Sequence, residues 1–258
     1  MALGTVLVVQ AIVSLLIAAV YLYVGRLVMR RSVRSEGRGA RRAFTLWWYA
    51  LGVVTALGAA SNIVGATGYR SLAFSLFMLF TILALIMVAL GGLHTYLIYL
   101  YTGWRRSHWP PIIGYSLLGV VFFAVVAWMQ PVGIHDGEFS IEYDFARELP
   151  TSIGTALGLS LTLPVLASVV AYGTLYFQTP ERIARYRIAM VTLAFVVWFG
   201  WSVVMTLLNI DSESVTMQFV TRGISLVGPV MIFLAYHPPA AILRRFSATA
   251  AEAGAQQP

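Results

Sequence analysis

A single arginine lies within one of the most apolar stretches of this 258-residue chain, QFVTRGISLVGPVMIFLAYH at residues 218–237. A charged side chain in hydrocarbon costs about 2.5 to 3.5 kcal/mol on insertion scales, so a residue such as Arg222 usually has a partner or a function. At helical spacing, Gln218, Arg222, Ser225 and Pro229 share one face of this segment. The pattern predicts that this face is turned towards the interior of a helix bundle.

Counting along the helix predicts that Arg222 lies roughly 10 Å below its outer end. Two roles for it are open. The side chain either reaches up to Asp211 or Glu213 at the membrane surface, or it binds an anionic group of a ligand. The polar and aromatic residues at the same depth on other segments are Gln10, Ser61, Asn62, Trp201 and Ser202. The predicted ligand-binding set comprises Arg222, Gln218, Ser225, Asn62, Gln10, Trp201 for stacking, and Trp198 as the floor of the chamber.

Residues for catalysis, cofactors or metals are few. The chain has no cysteine and no lysine, which excludes thiolate catalysis and a retinal Schiff base. No Asp or Glu lies inside the apolar segments, so proton pumping through buried acids is not favoured. His94 and His237 are the pair that haem or a metal would use, but no acid completes a ligand set. We therefore predict no catalytic site, no metal and no cofactor.

The composition is that of an integral membrane protein, with 59% hydrophobic and 10% charged residues, whereas soluble domains average about 25% charged residues. Seven continuous apolar stretches are long enough to cross the bilayer as helices. They are residues 3–25, 43–68, 71–103, 111–130, 151–178, 188–208 and 215–236. The predicted fold is all-α, a single seven-transmembrane-helix bundle over residues 1–246 with a short disordered cytoplasmic tail at 247–258.

The arginines are distributed unevenly. Fourteen of the 17 lie in the connections after the first, third, fifth and seventh segments, whereas nearly all the acids lie in the opposite connections. The positive-inside rule then predicts that the N-terminus is outside and the C-terminus inside, in the plasma membrane or inner membrane of a prokaryotic cell. The basic side is expected to meet anionic lipids and a protein partner. No nucleic-acid partner is expected.

Three further patterns bear on architecture. The outer connection at 131–150 contains EFSIEYDF, whose alternation fits a hairpin or lid strand, although a solvated acidic connection is the simpler alternative. Trp47 and Trp48 are predicted to belong to the aromatic belt at the membrane surface. Gly154 and Gly158 form a G-x-x-x-G pattern that fits close helix contact within the bundle or in a homodimer.

Four stretches resemble the seven-helix sensor region at the N-terminus of some prokaryotic histidine kinases. They are LWWYALGVVTALG, LHTYLIYLYTG, LYFQTPERIARYR and GISLVGPVMIFLAYH, and the resemblance extends over most of the chain. It implies a sensor. Because no kinase sequence follows the seventh segment, the resemblance also implies signalling through a separate partner.

The sequence thus predicts a receptor-like or ligand-binding membrane protein with a polar pocket in the outer half of the bundle. Two other classes stay open. One is a membrane-embedded enzyme or carrier acting on a lipid or isoprenoid, with Arg222 or the inner arginines holding a phosphate or carboxylate. An enzyme of this kind needs a general base or a metal, for which the candidates are His94, His108 and His237. The other is a structural subunit or assembly factor of a membrane complex.

Overall fold

The computed structural model describes residues 3–30, 38–101, 109–136, 141–207 and 215–244. Within these ranges the chain forms seven long helices and one two-stranded hairpin, so the prediction of a mainly helical protein is confirmed. The predicted tail at 247–258 lies outside the described residues. The elements are α1 (Leu3–Arg30), α2 (Arg38–Ala66), α3 (Arg70–Tyr101), α4 (Trp109–Met129), β1 (Pro131–Asp136), β2 (Ile141–Phe145), α5 (Thr151–Gln178), α6 (Arg182–Leu207) and α7 (Val215–Tyr236).

Four helices, α1, α2, α3 and α7, are long and apolar enough over most of their length to cross a membrane. Helices satisfy their own backbone hydrogen bonds, which is the condition for lying in hydrocarbon. Large apolar side chains remain exposed on their outer surfaces, among them Leu16, Ile82 and Val230. An apolar outer surface is unfavourable in water but matches lipid. The chain therefore has the helices of a membrane protein.

Three helices extend into arginine-rich sequence that the apolar pattern assigned to the connections. α1 runs on to Arg30, α2 starts at Arg38 and α6 starts at Arg182, each at least five residues beyond the predicted span. Hydropathy detects only the apolar part of a helix. Arginine is also a good helix former, so a helix can continue past its apolar part into arginine-rich sequence. As a result, Arg30, Arg41 and Arg187 are carried on helix ends and not on loops.

The directions of six helices can be determined from which of their ends line the same cavity. One cavity is lined by the C-terminal ends of α1, α3, α5 and α7 and by the N-terminal ends of α2 and α6. We call this end of the bundle, which carries Arg30, Arg41 and Arg187, the basic end. The β1–β2 hairpin contacts the end of α2 and the start of α3 at the opposite end, which we call the hairpin end. α1 and α7 therefore run parallel, and α2 and α6 run against them.

Tyr143 attaches the hairpin to the helices. β1 and β2 pair in antiparallel fashion, and the Tyr143 ring stacks on Phe77 of α3 with ring centroids 3.4 Å apart. Ser61 donates to the Ala73 carbonyl over 2.9 Å, so the Tyr143 hydroxyl, 3.0 Å from the Ser61 oxygen, is the donor of that second bond. Burial raises the pKa of Tyr143, which keeps this donor protonated. Of the two alternatives for this connection, a hairpin strand or a solvated acidic connection, the described residues form the hairpin, which is anchored to the bundle.

An aromatic cluster fills the centre of the bundle. The Trp48 ring packs against Tyr21 of α1, Phe44 of α2 and Trp198 of α6, with centroid distances of 5.6, 5.9 and 5.9 Å. Trp48 is 1% exposed and Trp47 is 8% exposed. The prediction that these two indoles belong to a surface belt is therefore wrong. α2 begins more than two turns before them, so they lie inside the helix and not at its start.

Replacing Trp48 with alanine should lower the free energy of unfolding by about 3 to 5 kcal/mol, the usual cost of deleting a large buried aromatic side chain. The control is Trp128 of α4, which is 44% exposed and lies beneath the Arg147 guanidinium. Its replacement should cost clearly less, about 1 kcal/mol. Both are measured by reversible unfolding in detergent. Equal losses for the two variants would show that Trp48 does not form the core.

Candidate functional site

Arg222 joins α7 to α1. Its Nη2 donates to the side-chain oxygen of Gln10 over 3.0 Å, and its Nη1 donates to the Gln10 backbone carbonyl over 3.0 Å. The Ser14 hydroxyl accepts a further bond from Nη1. Gln10 and Ser14 lie one turn apart on α1, which places both on the face that meets α7. Gln10, 1% exposed, was predicted at this depth, and the structure brings it to Arg222.

The partners of Arg222 are neutral, so its charge is not balanced within the helices. No Asp or Glu occurs in α1 to α7, and Asp211 and Glu213 lie outside the described residues. Arg222 Nε is buried without a hydrogen-bond partner among the described residues, and so is Nε2 of Gln10. A buried donor without an acceptor costs roughly 1 to 3 kcal/mol, and more when it is charged. The cluster therefore offers two unused donors and one positive charge to an acceptor.

A second link between α1 and α7 lies one turn further along α7. Pro229, inside α7, has no N–H to donate to the carbonyl of Ser225 four residues earlier. The Tyr21 hydroxyl of α1 donates to this carbonyl over 3.2 Å. In hydrocarbon a carbonyl freed by proline needs a partner of this kind. Tyr21 also packs against Trp48 and Trp198, so the link is continuous with the aromatic cluster.

Other members of the predicted set have different neighbours. Trp201 donates its indole N–H to the Thr221 hydroxyl over 3.1 Å, beside Arg222 in sequence. Trp198 belongs to the aromatic cluster and lies against Gly228, where an added Cβ would come within 3.2 Å of the indole. Asn62 follows Ser61 near the hairpin end of α2 and makes none of the hydrogen bonds of Arg222. The side chains of Gln218 and Ser202 lie outside the part that the structure describes.

Sequence reasoning missed Ser14 and Tyr21. Ser14 carried a usable signal, because it lies four residues after Gln10 on the same helical face. Tyr21 carried a weaker one, since the proline at position 229 predicts that the Ser225 carbonyl needs a donor but does not say from which helix.

His94 is part of a separate buried network. Its Nδ1 lies 3.0 Å from the Ala40 carbonyl, its Nε2 lies 2.5 Å from the Tyr172 hydroxyl, and its ring stacks on Phe44. A carbonyl only accepts, so Nδ1 carries the proton and Nε2 accepts from Tyr172. Both ring nitrogens are thus in use, and coordination by His94 would break a buried bond. Within the described ranges, no group of three or more His, Asp or Glu side chains is placed to hold a metal ion.

A cavity of about 620 Å³ opens at the basic end of the bundle. It lies beside His94 and Tyr172 and is lined by side chains of six helices. Arg222 is not among its lining residues. The bundle therefore has two separate candidate binding sites, the Arg222 cluster and this cavity.

No protein-family model, no curated protein and no solved structure matches this chain. The resemblance to the sensor region of histidine kinases stays a prediction.

Replacing Tyr21 with phenylalanine should cost about 1 to 3 kcal/mol of unfolding free energy, because it leaves the Ser225 carbonyl without a donor. The loss should be smaller in a Pro229→Ala background, where the backbone of residue 229 regains an N–H. Tyr23→Phe, at a position 56% exposed on the same helix, is the control and should be neutral. The same loss for Tyr21→Phe in both backgrounds would contradict the pairing.

Proposed function

We propose that this chain is a receptor-like, ligand-binding protein of the plasma membrane that signals through a separate protein partner. Its ligand carries a carboxylate, phosphate or similar acceptor group and binds at the Arg222 cluster. All seven helices cross the membrane, with the N-terminus outside and the C-terminus inside. In this orientation the Arg222 cluster lies in the outer half of the bundle.

The observation that carries this proposal is the unbalanced guanidinium of Arg222. Its described hydrogen bonds go to neutral oxygens of Gln10 and Ser14, and two buried donors in the cluster have no acceptor among the residues that the structure describes. An anion would supply the acceptors and the opposite charge together. Charge-assisted hydrogen bonds are roughly twice as strong as neutral ones. In the low dielectric of the bundle, an anionic group is therefore the ligand chemistry that stabilises this cluster most.

The parallel directions of α1 and α7 support seven crossings. Two parallel spanning helices at the beginning and end of a chain leave its termini on opposite sides, which requires an odd number of crossings. Four apolar helices alone would place both termini on one side. α4, α5 and α6, at 21, 28 and 26 residues, have the length of further crossings. The positive-inside rule then places the basic end in the cytoplasm.

A route for the signal follows from the two links between α1 and α7. A ligand that accepts from Arg222 Nε on α7 and from Gln10 Nε2 on α1 adds bonds between these two helices, so binding changes how α7 is held against α1. The Tyr21 to Ser225 bond lies between this site and the basic end. Tyr236, at the other end of α7, lines the basic-end cavity. A partner protein at the cytoplasmic arginines would read a shift of α7 there.

A membrane-embedded enzyme or carrier for a lipid or isoprenoid is the second candidate, and the basic-end cavity is the observation that favours it. The residue near that cavity with acid–base chemistry is His94, whose two ring nitrogens are already hydrogen-bonded. A general base has to be within reach of the proton that it removes. Carrier function needs no base, so it fits the cavity better than catalysis does.

Single cysteines test the crossings, since the natural chain has none. We expect a membrane-impermeant maleimide to label Ser140→Cys and Ser212→Cys in intact cells. Ser32→Cys and Ser247→Cys should react only after the membrane is opened. Labelling of Ser247→Cys in intact cells, with Ser140→Cys protected, would indicate four crossings and contradict the proposed topology.

Arg222→Gln should remove from the gently purified protein the one acidic molecule that is bound at the Arg222 cluster, because the amide removes the charge while keeping a polar side chain; acidic molecules bound elsewhere on the chain should stay. Native mass spectrometry of the purified protein measures the retained molecule. Arg222→Lys should keep part of the binding, since it keeps the charge but loses the forked donor geometry.

Arg147→Gln is the matched control, because this arginine is exposed near the hairpin end and contacts Trp128. It should retain the molecule as the natural protein does. Wild-type retention by Arg222→Gln would contradict the proposed site. The natural protein could instead be purified from its native membrane without a bound molecule, while Arg222→Gln changes its stability. That result would show that Arg222 is only a structural link.

A further inference from the structure

The basic-end cavity has the properties of a second binding site. Its volume of about 620 Å³ falls within the range of about 300 to 1,000 Å³ that is usual for small-molecule sites. It lies inside the ring of helix ends that carry Arg30, Arg41 and Arg187. Along α7, the fourteen residues from Arg222 to Tyr236 correspond to roughly 21 Å of helix. The cavity is therefore separate from the Arg222 cluster.

Three arginines from three different helices line this cavity. Arg30 comes from α1, Arg41 from α2 and Arg187 from α6. None of the residues that the structure places on its wall is acidic. Three like charges at one cavity repel one another, and the repulsion falls when an anion enters between them. The charge selects for an anionic head and against a metal cation.

Arg187 has an unused donor at this place. Its Nε is buried without a hydrogen-bond partner among the described residues. Arg185, two residues earlier on the same helix, shows the contrast, because it donates from Nε to the Thr179 carbonyl over 2.9 Å and lies over the Tyr176 ring. A phosphate or carboxylate oxygen beside Arg187 would accept a hydrogen bond from this Nε, which no described residue does.

Most of the remaining wall is apolar and includes Phe44, Ile98, Leu175 and Val191. A small inorganic anion would satisfy the arginines but leave this surface uncovered. A ligand that also carries a hydrocarbon chain would bury this surface, which is favourable in proportion to the apolar area removed from water. The arginines of the wall thus favour an anionic head group, and its apolar residues favour a hydrocarbon chain.

We propose that the basic-end cavity binds an amphiphile with a phosphate or carboxylate head and an apolar chain, its head held by Arg30, Arg41 and Arg187. The site does not depend on ligand binding at Arg222. Such an amphiphile comes either from the bilayer, as an anionic phospholipid, or from the aqueous side, as a fatty acid or similar chain. Either would hold together the ends of the six helices that surround the cavity.

Native mass spectrometry on the delipidated full chain tests this site with defined probes. Dioleoylphosphatidylglycerol and palmitate represent the two sources, dioleoylphosphatidylcholine is the neutral-head control, and inorganic phosphate tests the head alone. At least one of the anionic amphiphiles should bind about tenfold or more tightly than the phosphatidylcholine and the inorganic phosphate. Preference for the phosphatidylglycerol indicates a bilayer source, and preference for palmitate indicates a soluble one.

Arg187→Gln should weaken binding of the preferred amphiphile by about tenfold or more, because it removes a charged donor. Arg182→Gln is the matched control, since Arg182 is exposed at the start of the same helix and is not part of the cavity wall. It should bind as the natural chain does, and so should Arg222→Gln. Loss of binding in Arg222→Gln as well would show that the amphiphile occupies the Arg222 cluster instead.

Ala184→Phe covers the case in which Arg187→Gln fails to fold. Ala184 lines the cavity, so the larger side chain fills the space for the chain and keeps all three arginines. It should reduce binding of the amphiphile in a protein with wild-type thermal stability. The proposal is overturned if the phosphatidylcholine binds as tightly as both anionic probes. Wild-type affinity in folded Arg187→Gln, or in Ala184→Phe if Arg187→Gln does not fold, would equally overturn it.

Discussion

A positive charge held between two helices that contain no carboxylate is the constraint on which the rest of this bundle depends. Arg222 can stay in the apolar interior because Gln10 and Ser14 of α1 accept its hydrogen bonds. This pairing places α7 alongside α1 in a parallel direction. The freed carbonyl of Ser225 repeats the requirement one turn later, and Tyr21 meets it. Polar groups in the apolar interior thus need partners on another helix, and these partners bring α1 and α7 together.

The two ends of the bundle differ in chemistry for the same reason. At the hairpin end, Tyr143 fills the space between α2 and α3 and bonds to Ser61, so that end is closed by protein at this point. At the basic end, helices continue as arginine-bearing turns, and mutual repulsion of the guanidiniums disfavours their close packing. A cavity remains between them. An anionic amphiphile at this cavity and an anionic ligand at Arg222 would each bring negative charge to a site that carries arginine side chains.

The sequence predicted the helices and the common depth of Gln10 and Arg222, because each follows from periodicity, length or depth along a single segment. It left the hairpin open beside a solvated connection and did not predict the direct bond between Gln10 and Arg222. Burial of Trp48 was missed since hydropathy does not tell an indole at a helix start from one two turns inside. The basic-end cavity was missed for a different reason. Arg41 and Arg187 lie far apart in sequence, and only the packing of α2 and α6 brings them to one wall.

The measurement that tests the central pairing most directly is a double-mutant cycle of Gln10→Met and Arg222→Met on the unfolding free energy in detergent. Two residues in direct, charge-assisted contact should show a coupling energy of about 1 to 3 kcal/mol. Effects that add to within about 0.3 to 0.5 kcal/mol would show that the two side chains are independent. That result would contradict the pairing of α7 with α1 through Arg222, and with it the placement of the candidate site.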